Sequence, residues 1–155
     1  MKLHLIRHGK AENGSLDMHD FDRKLAPKGI KQTIELGKHL AKHRGLEVWC
    51  SDAVRTRETL LSIQKSCQFS EVKHFIDLYL CSKEDMLAHL WKRKSNDDLV
   101  IVGHNFGISD LLSYFTEEIL EMRTSEYYCL DFGDLSSNET SKGTAIIIDQ
   151  YRPQV

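Results

Sequence analysis

The chain is predicted to fold as an α/β protein, a three-layer α/β/α sandwich on a mainly parallel sheet. Three observations predict it. Short apolar runs alternate with longer stretches whose apolar residues recur at helical spacing. The runs are mostly apolar and separated by helices, which argues for a mainly parallel sheet covered on both faces. After these units come two apolar segments joined by a long polar loop, which read as antiparallel strands at the end of the chain.

Taken in order, Leu3 to Ile6 is a short buried strand that runs into Arg7, His8 and Gly9. Residues Pro27 to Arg44 place Ile30, Ile34, Gly37, Leu40 and Ala41 on one helical stripe, with Pro27 suited to the first turn and Gly45 to the stop. Leu46 to Cys50 is a second strand. Ser51 can cap a helix to about Ser66 whose inner face carries Ala53, Leu60 and Ile63. Glu71 to Leu78 reads as a third strand. Ser82 with Asp85 forms a capping-box pattern ahead of Met86, Leu87, Leu90 and Trp91. Asp98 to Val102 is the clearest strand, and it ends in Gly103, His104 and Asn105. A helix with Ile108, Leu111, Leu112, Phe115 and Ile119 follows. Glu126 to Phe132 and the segment TAIIIDQY are the closing strands.

Length and composition bound the function. With 155 residues, one domain spanning residues 1–155 can bury its own core without metal or disulfide support. A net charge of −2 with interspersed signs gives no basic field for nucleic acid or a membrane surface, so any anion site must be a local cluster. No signal-peptide pattern follows Met1, and no apolar stretch approaches a membrane span. Cys50, Cys67, Cys81 and Cys129 form no C-x-x-C pair, as expected of reduced core cysteines in a cytoplasmic protein.

Parallel sheets bind ligands at the carboxyl ends of their strands. There the chain places Arg7, His8 and Gly9 after the first strand, Arg55 in the first helical turn after the second, and Gly103, His104 and Asn105 after the fourth. Two histidines and two arginines can therefore share one crevice. Guanidinium groups and helix N-termini suit a dianionic phosphoryl group. His39, His43 and His89 lie in polar helical stretches and are expected at the surface. His39 and His43 have helical ligand spacing, but no third ligand is evident, so no metal site is expected.

The segments LIRHGKA, SDAVRTRET and VIVGHN, together with DFDRKLAPKG at residues 20–29, resemble the histidine phosphatase superfamily. Spacing and length resemble its phosphohistidine phosphatase (SixA-like) branch, over roughly residues 1–112. The resemblance implies a phosphoglycerate mutase-like fold, with His8 as nucleophile. It implies that Arg7 and Arg55 bind the phosphoryl oxygens, that His104 donates a further bond, and that Arg23 contacts substrate from the pocket wall. It implies no cofactor and no metal. The implied partner is a phosphorylated protein, such as a histidine phosphotransfer domain, met by a monomer.

Two departures matter. Many superfamily members carry a glutamate after the third strand that protonates an alkoxide leaving group; here IDLYLCSKEDM offers Asp77, Glu84 and Asp85 without a convincing match. Ala26 stands where the branch usually has a Ser or Thr helix cap. The missing acid favours a phosphoramidate over a sugar phosphate, because an imidazole leaves after protonation of its own ring. A broad phosphomonoesterase and a non-catalytic phosphoprotein-binding module are the competing expectations.

Overall fold

A computed structural model describes residues 1–154. Its elements run β1 (Lys2–Arg7), α1 (Pro27–Leu40), β2 (Leu46–Ser51), α2 (Val54–Ile63), β3 (Phe69–Phe75), α3 (Lys83–Lys92), β4 (Leu99–Gly103), α4 (Gly107–Thr116), β5 (Tyr127–Asp131) and β6 (Ile146–Tyr151). Short 3₁₀ turns cover Asp20–Asp22, Ile76–Leu78 and Ser137–Glu139. The six strands form one sheet in the order β3-β2-β4-β1-β5-β6. The first four strands of that order are parallel, and β5 adds antiparallel to β1 and β6 antiparallel to β5, as predicted. Among the described residues, no helix is long and apolar enough to cross a membrane.

The two-residue side-chain period of a strand separates two cores. Leu3, Leu5, Leu99 and Ile101 face Leu87 and Leu90 of α3 and Leu111, Leu112 and Phe115 of α4. Ile6, Val48, Val100 and Val102 face Leu36 and Leu40 of α1 and Leu60 and Ile63 of α2. The sheet is thus covered on both sides at its central strands, which are mostly buried and apolar.

Several element details differ from expectation. The buried face of α1 is Gly29, Thr33, Leu36, Gly37 and Leu40, while Ile30 is exposed. Close approach causes this rotation: a Cβ on Gly37 would sit 3.0 Å from the Ile63 backbone, so the glycine face turns inward. Ser51 is the last residue of β2, and Ala53 takes the N-cap of α2 without a side-chain bond. Trp91 and Ile119 are exposed; α4 ends at Thr116, where Glu117 adopts a left-handed φ of 57°. The strand predicted at 71–78 starts earlier and gives way at Ile76 to a 3₁₀ turn. The Ser82–Asp85 capping box forms as expected, and Ala26 caps α1 with no side-chain bond.

Gly29 ties α1 to the segment after β1. A Cβ there would lie 2.2 Å from the Lys10 carbonyl oxygen, whose other partner is the Ala26 N–H at 2.8 Å. Gly29→Ala must therefore push α1 off the His8–Gly9–Lys10 turn. Overpacking of this kind costs about 1–3 kcal/mol. The expected result is a lowered thermal midpoint together with weakened anion binding at the β1 end, measured by calorimetry and by orthovanadate titration.

Candidate active site

Strand order brings the three strand-end motifs together. β4 lies between β1 and β2, and Arg7 pairs in register with Gly103. The His8 N–H donates to the Gly103 carbonyl at 3.1 Å, so the two histidines leave the sheet side by side with ring centroids 5.2 Å apart. Arg7, His8, Arg55 and His104 line one cleft of about 380 Å³, with Lys10, Ala11, Asp20, Arg23, Leu80, Asn105 and Thr124 completing its wall. All five residues expected at a site, Arg23 included, are in this cleft.

The His8 ring is oriented by its own backbone. Nδ1 lies 2.7 Å from the Gly9 carbonyl oxygen, which can only accept, so Nδ1 carries the proton and Nε2 keeps its lone pair. The Gly9 N–H donates to Thr59 of α2 at 2.9 Å, and this fixes the turn. Nε2 points to the arginine side, 3.4 Å from Arg55 Nε. Burial, with the Arg55 and Arg7 charges beside it, pushes the His8 pKa down to about 4; the bond to Gly9 opposes this. The ring is therefore neutral at pH 7.

His104 is buried and neutral for the same first reason, its pKa pushed down to about 3 by burial and then by His8 and Arg55. Its Nε2 sits 2.7 Å from Ser51 Oγ. Ser51 Oγ already accepts the Ala53 N–H, and its hydroxyl proton finds no acceptor except His104 Nε2. The serine therefore donates, and the His104 proton resides on Nδ1, a buried atom without a partner. Ser51→Ala is expected to release the tautomer and lower kcat about tenfold, the scale of one lost hydrogen bond, with the thermal midpoint nearly unchanged. Steady-state kinetics beside a melting curve check it.

The arginines are held by different parts of the chain. Arg7 Nη1 donates to the Met122 carbonyl at 2.9 Å, and its Nε is buried without a partner. Arg55, only 3% exposed, gives Nη1 to the Asp20 carbonyl at 2.7 Å and Nη2 to the Asp20 carboxylate at 2.9 Å. Arg23 donates to the Glu12 carbonyl and to Asp20. Unspent donors on Arg7 and His104 beside a neutral His8 are what an incoming oxyanion requires, since buried polar groups normally find partners.

Asp20 and Tyr79 are in the site without having been expected there. Tyr79 OH donates to Asp20 at 2.5 Å, its ring stands edge-on to His104 at 5.5 Å, and Arg55 lies over its face at 5.8 Å. Of Asp77, Glu84 and Asp85, none of which matched the acid position convincingly in the sequence, Asp77 and Asp85 line a separate cavity with His89 and Lys92. Asp20 is the one carboxylate of the cleft among the described residues. The Tyr79, Arg23 and Arg55 bonds hold it well below the usual carboxylate range, so it stays ionised.

No group of three or more His, Cys, Asp and Glu side chains among the described residues is placed to hold a metal ion. His39 does find a carboxylate, Asp149 of β6 at 2.9 Å, but His43 packs on the His4 ring instead of joining them. His4 is fully buried, with Nδ1 2.8 Å from Tyr127 OH.

Comparison with known proteins agrees with this geometry. Two solved structures assigned as SixA phosphohistidine phosphatases, from Nakamurella multipartitia and Agrobacterium tumefaciens, superpose with a TM-score of 0.84 at 22% identity. The alignments cover 99% and 98% of this chain, and 96% and 97% of theirs. The protein histidine phosphatase SixA complexed with tungstate gives a TM-score of 0.80 at 18% identity, covering 97% of this chain and 96% of its own. At such identities the likeness establishes the fold. No curated protein matches the sequence. The family model for the histidine phosphatase superfamily (branch 1) matches residues 3–79, just under half of the chain and the part that carries Arg7, His8, Gly9 and Arg55, so the chain is similar to that superfamily over this segment.

Proposed function

We propose that the protein is a metal-independent phosphatase that removes the phosphoryl group from histidine on a partner protein. The observation that carries this reading is the His8 ring: Nδ1 is committed to the Gly9 carbonyl and Nε2 is turned to Arg55 in a cleft whose one carboxylate is held ionised. Nε2 attacks phosphorus, the substrate's P–N bond breaks, and the departing imidazole leaves neutral because its other nitrogen has been protonated from solvent. Water then attacks the phosphoryl group on His8, the P–Nε2 bond breaks, and inorganic phosphate leaves with His8 restored. Arg7, Arg55 and His104 bind the three equatorial oxygens, whose charge is the main demand of phosphoryl transfer. Arg23 contacts the substrate at the wall.

An ionised Asp20 is a poor general acid, and an alkoxide leaves slowly without one. That favours a phosphoramidate. Exposed Lys10, Asp20 and Leu80 at the cleft wall leave it open to a side chain on another protein, such as a phosphotransfer domain. The proposed setting is a cytoplasmic monomer. The test is to incubate the protein, with chelator present, with a phosphohistidine protein, a sugar phosphate and an aryl phosphate. Fastest release from the phosphohistidine protein is expected. Faster release from the sugar phosphate would favour a broad phosphomonoesterase, no turnover of any substrate would favour a binding module, and loss of activity in chelator would refute the metal-independent mechanism.

A further inference from the structure

We infer that Asp20 is a positioning residue for Arg55: its carbonyl and carboxylate clasp the two terminal nitrogens of the guanidinium and keep the Nε–H edge turned to His8. The inference rests on the proposed role of Arg55 as a phosphoryl ligand. Arg55 follows β2, whereas Asp20 lies on the strap between β1 and α1, so the contact joins two segments far apart in the chain. Nη1 donates to the Asp20 carbonyl at 2.7 Å and Nη2 to its Oδ2 at 2.9 Å, while Nε is 3.4 Å from His8 Nε2. A planar guanidinium held along one edge has its other edge aimed.

The clasp is itself anchored. Asp20 Oδ1 accepts from Arg23 at 2.9 Å, Oδ2 accepts from Tyr79 OH at 2.5 Å, and the next strap residue, Phe21, stands edge-on to the Tyr79 ring at 5.0 Å. Behind it, Ala11 and Leu25 pair as an antiparallel bridge that closes the base of the strap. A carboxylate among arginines could instead act as an internal competitor for phosphate. The edge it occupies argues otherwise. A phosphoryl group on His8 Nε2 meets the Nε edge of Arg55 and need not displace Asp20 from the far edge.

Asp20→Ala and Asp20→Asn separate these roles, because Asn keeps a side-chain oxygen that can accept from Arg55. The Asp20 side chain is 44% exposed, so both variants are expected to fold, and a melting curve verifies it. For Asp20→Ala, kcat is expected to fall at least about tenfold with KM shifted by less than about threefold, since small misplacements of a catalytic group are costly. For Asp20→Asn, kcat is expected to stay within about threefold of wild type. A lower KM with tighter orthovanadate inhibition and an unchanged kcat in Asp20→Ala would overturn the inference in favour of competition. Equal losses in both variants, or none in either, would also overturn it. If the wild type hydrolyses an aryl phosphate but no phosphohistidine protein, the substrate reading fails. The same kcat and KM comparison on the aryl phosphate then still decides the role of Asp20.

Discussion

Replacing His8 with alanine is expected to lower turnover of every phosphoryl substrate by at least about a thousandfold, because no other nucleophile is positioned to take over. The loss follows from geometry. The Gly9 carbonyl holds the ring in the tautomer whose Nε2 is unprotonated, and burial keeps it neutral with a pKa of about 4, so almost every molecule is competent at pH 7. Single-turnover mixing with ³²P-labelled substrate provides the direct check. The wild type should trap label as an acid-labile phosphoramidate, and the alanine variant should trap none while still binding orthovanadate through Arg7 and Arg55. Label in an acid-stable form, or activity within tenfold of wild type, would remove His8 from the proposed role.

The other cations affect the same reaction by a different route. Arg55→Ala leaves the nucleophile in place and removes charge stabilisation, for which a loss of about 10²–10³ in kcat is typical. A residual rate well above that of His8→Ala is what distinguishes a stabilising group from the group that forms the bond. The two variants together therefore test the division of labour.

Much of this site was legible in the sequence because strand ends are sequence features. Arg7-His8-Gly9 and Gly103-His104 each follow a mostly apolar run, and the register Arg7 to Gly103 converts that local pattern into contact. The DFDRKLAPKG segment led to Arg23 but not to Asp20, since nothing local says that an irregular strap folds back over Arg55. Tyr79 was hidden for a similar reason. The third strand ends at Phe75, and a 3₁₀ turn then carries Tyr79 to the cleft while Asp77 is directed elsewhere. The inner face of α1 was misread in part because apolar periodicity gives weight to Ile30 and Ile34 and none to Gly29 or Thr33. Yet glycine faces are where backbones pack closest. Ser51 looked like a helix cap by residue type alone, and only the neighbouring β4 strand end reveals its partner His104.

A second large effect is expected in stability at mildly acidic pH. His4, His8 and His104 are buried and neutral, with pKa values pushed down by burial to about 4, about 4 and about 3. In the unfolded chain they return to about 6.5. A group whose folded pKa is depressed in this way contributes fully above the unfolded value, and its contribution is lost as pH falls toward the folded one. Between about pH 6 and 4.5 the unfolded chain holds up to about three more protons than the folded one. The unfolding free energy then falls by up to about 4 kcal/mol per pH unit, a large share of the ~5–15 kcal/mol that holds most domains together. Urea unfolding at several pH values should show that slope, and a slope below one proton would contradict the burial of these rings. His4 makes the origin separable, because it bonds Tyr127 and lies outside the cleft. Gln in its place can still accept from Tyr127 OH but cannot titrate. His4→Gln is therefore expected to remove about a third of the slope while leaving kcat unchanged, whereas changes at His8 or His104 alter both. The burial that keeps His8 nucleophilic at neutral pH is, on this account, the same property that makes the fold acid-labile.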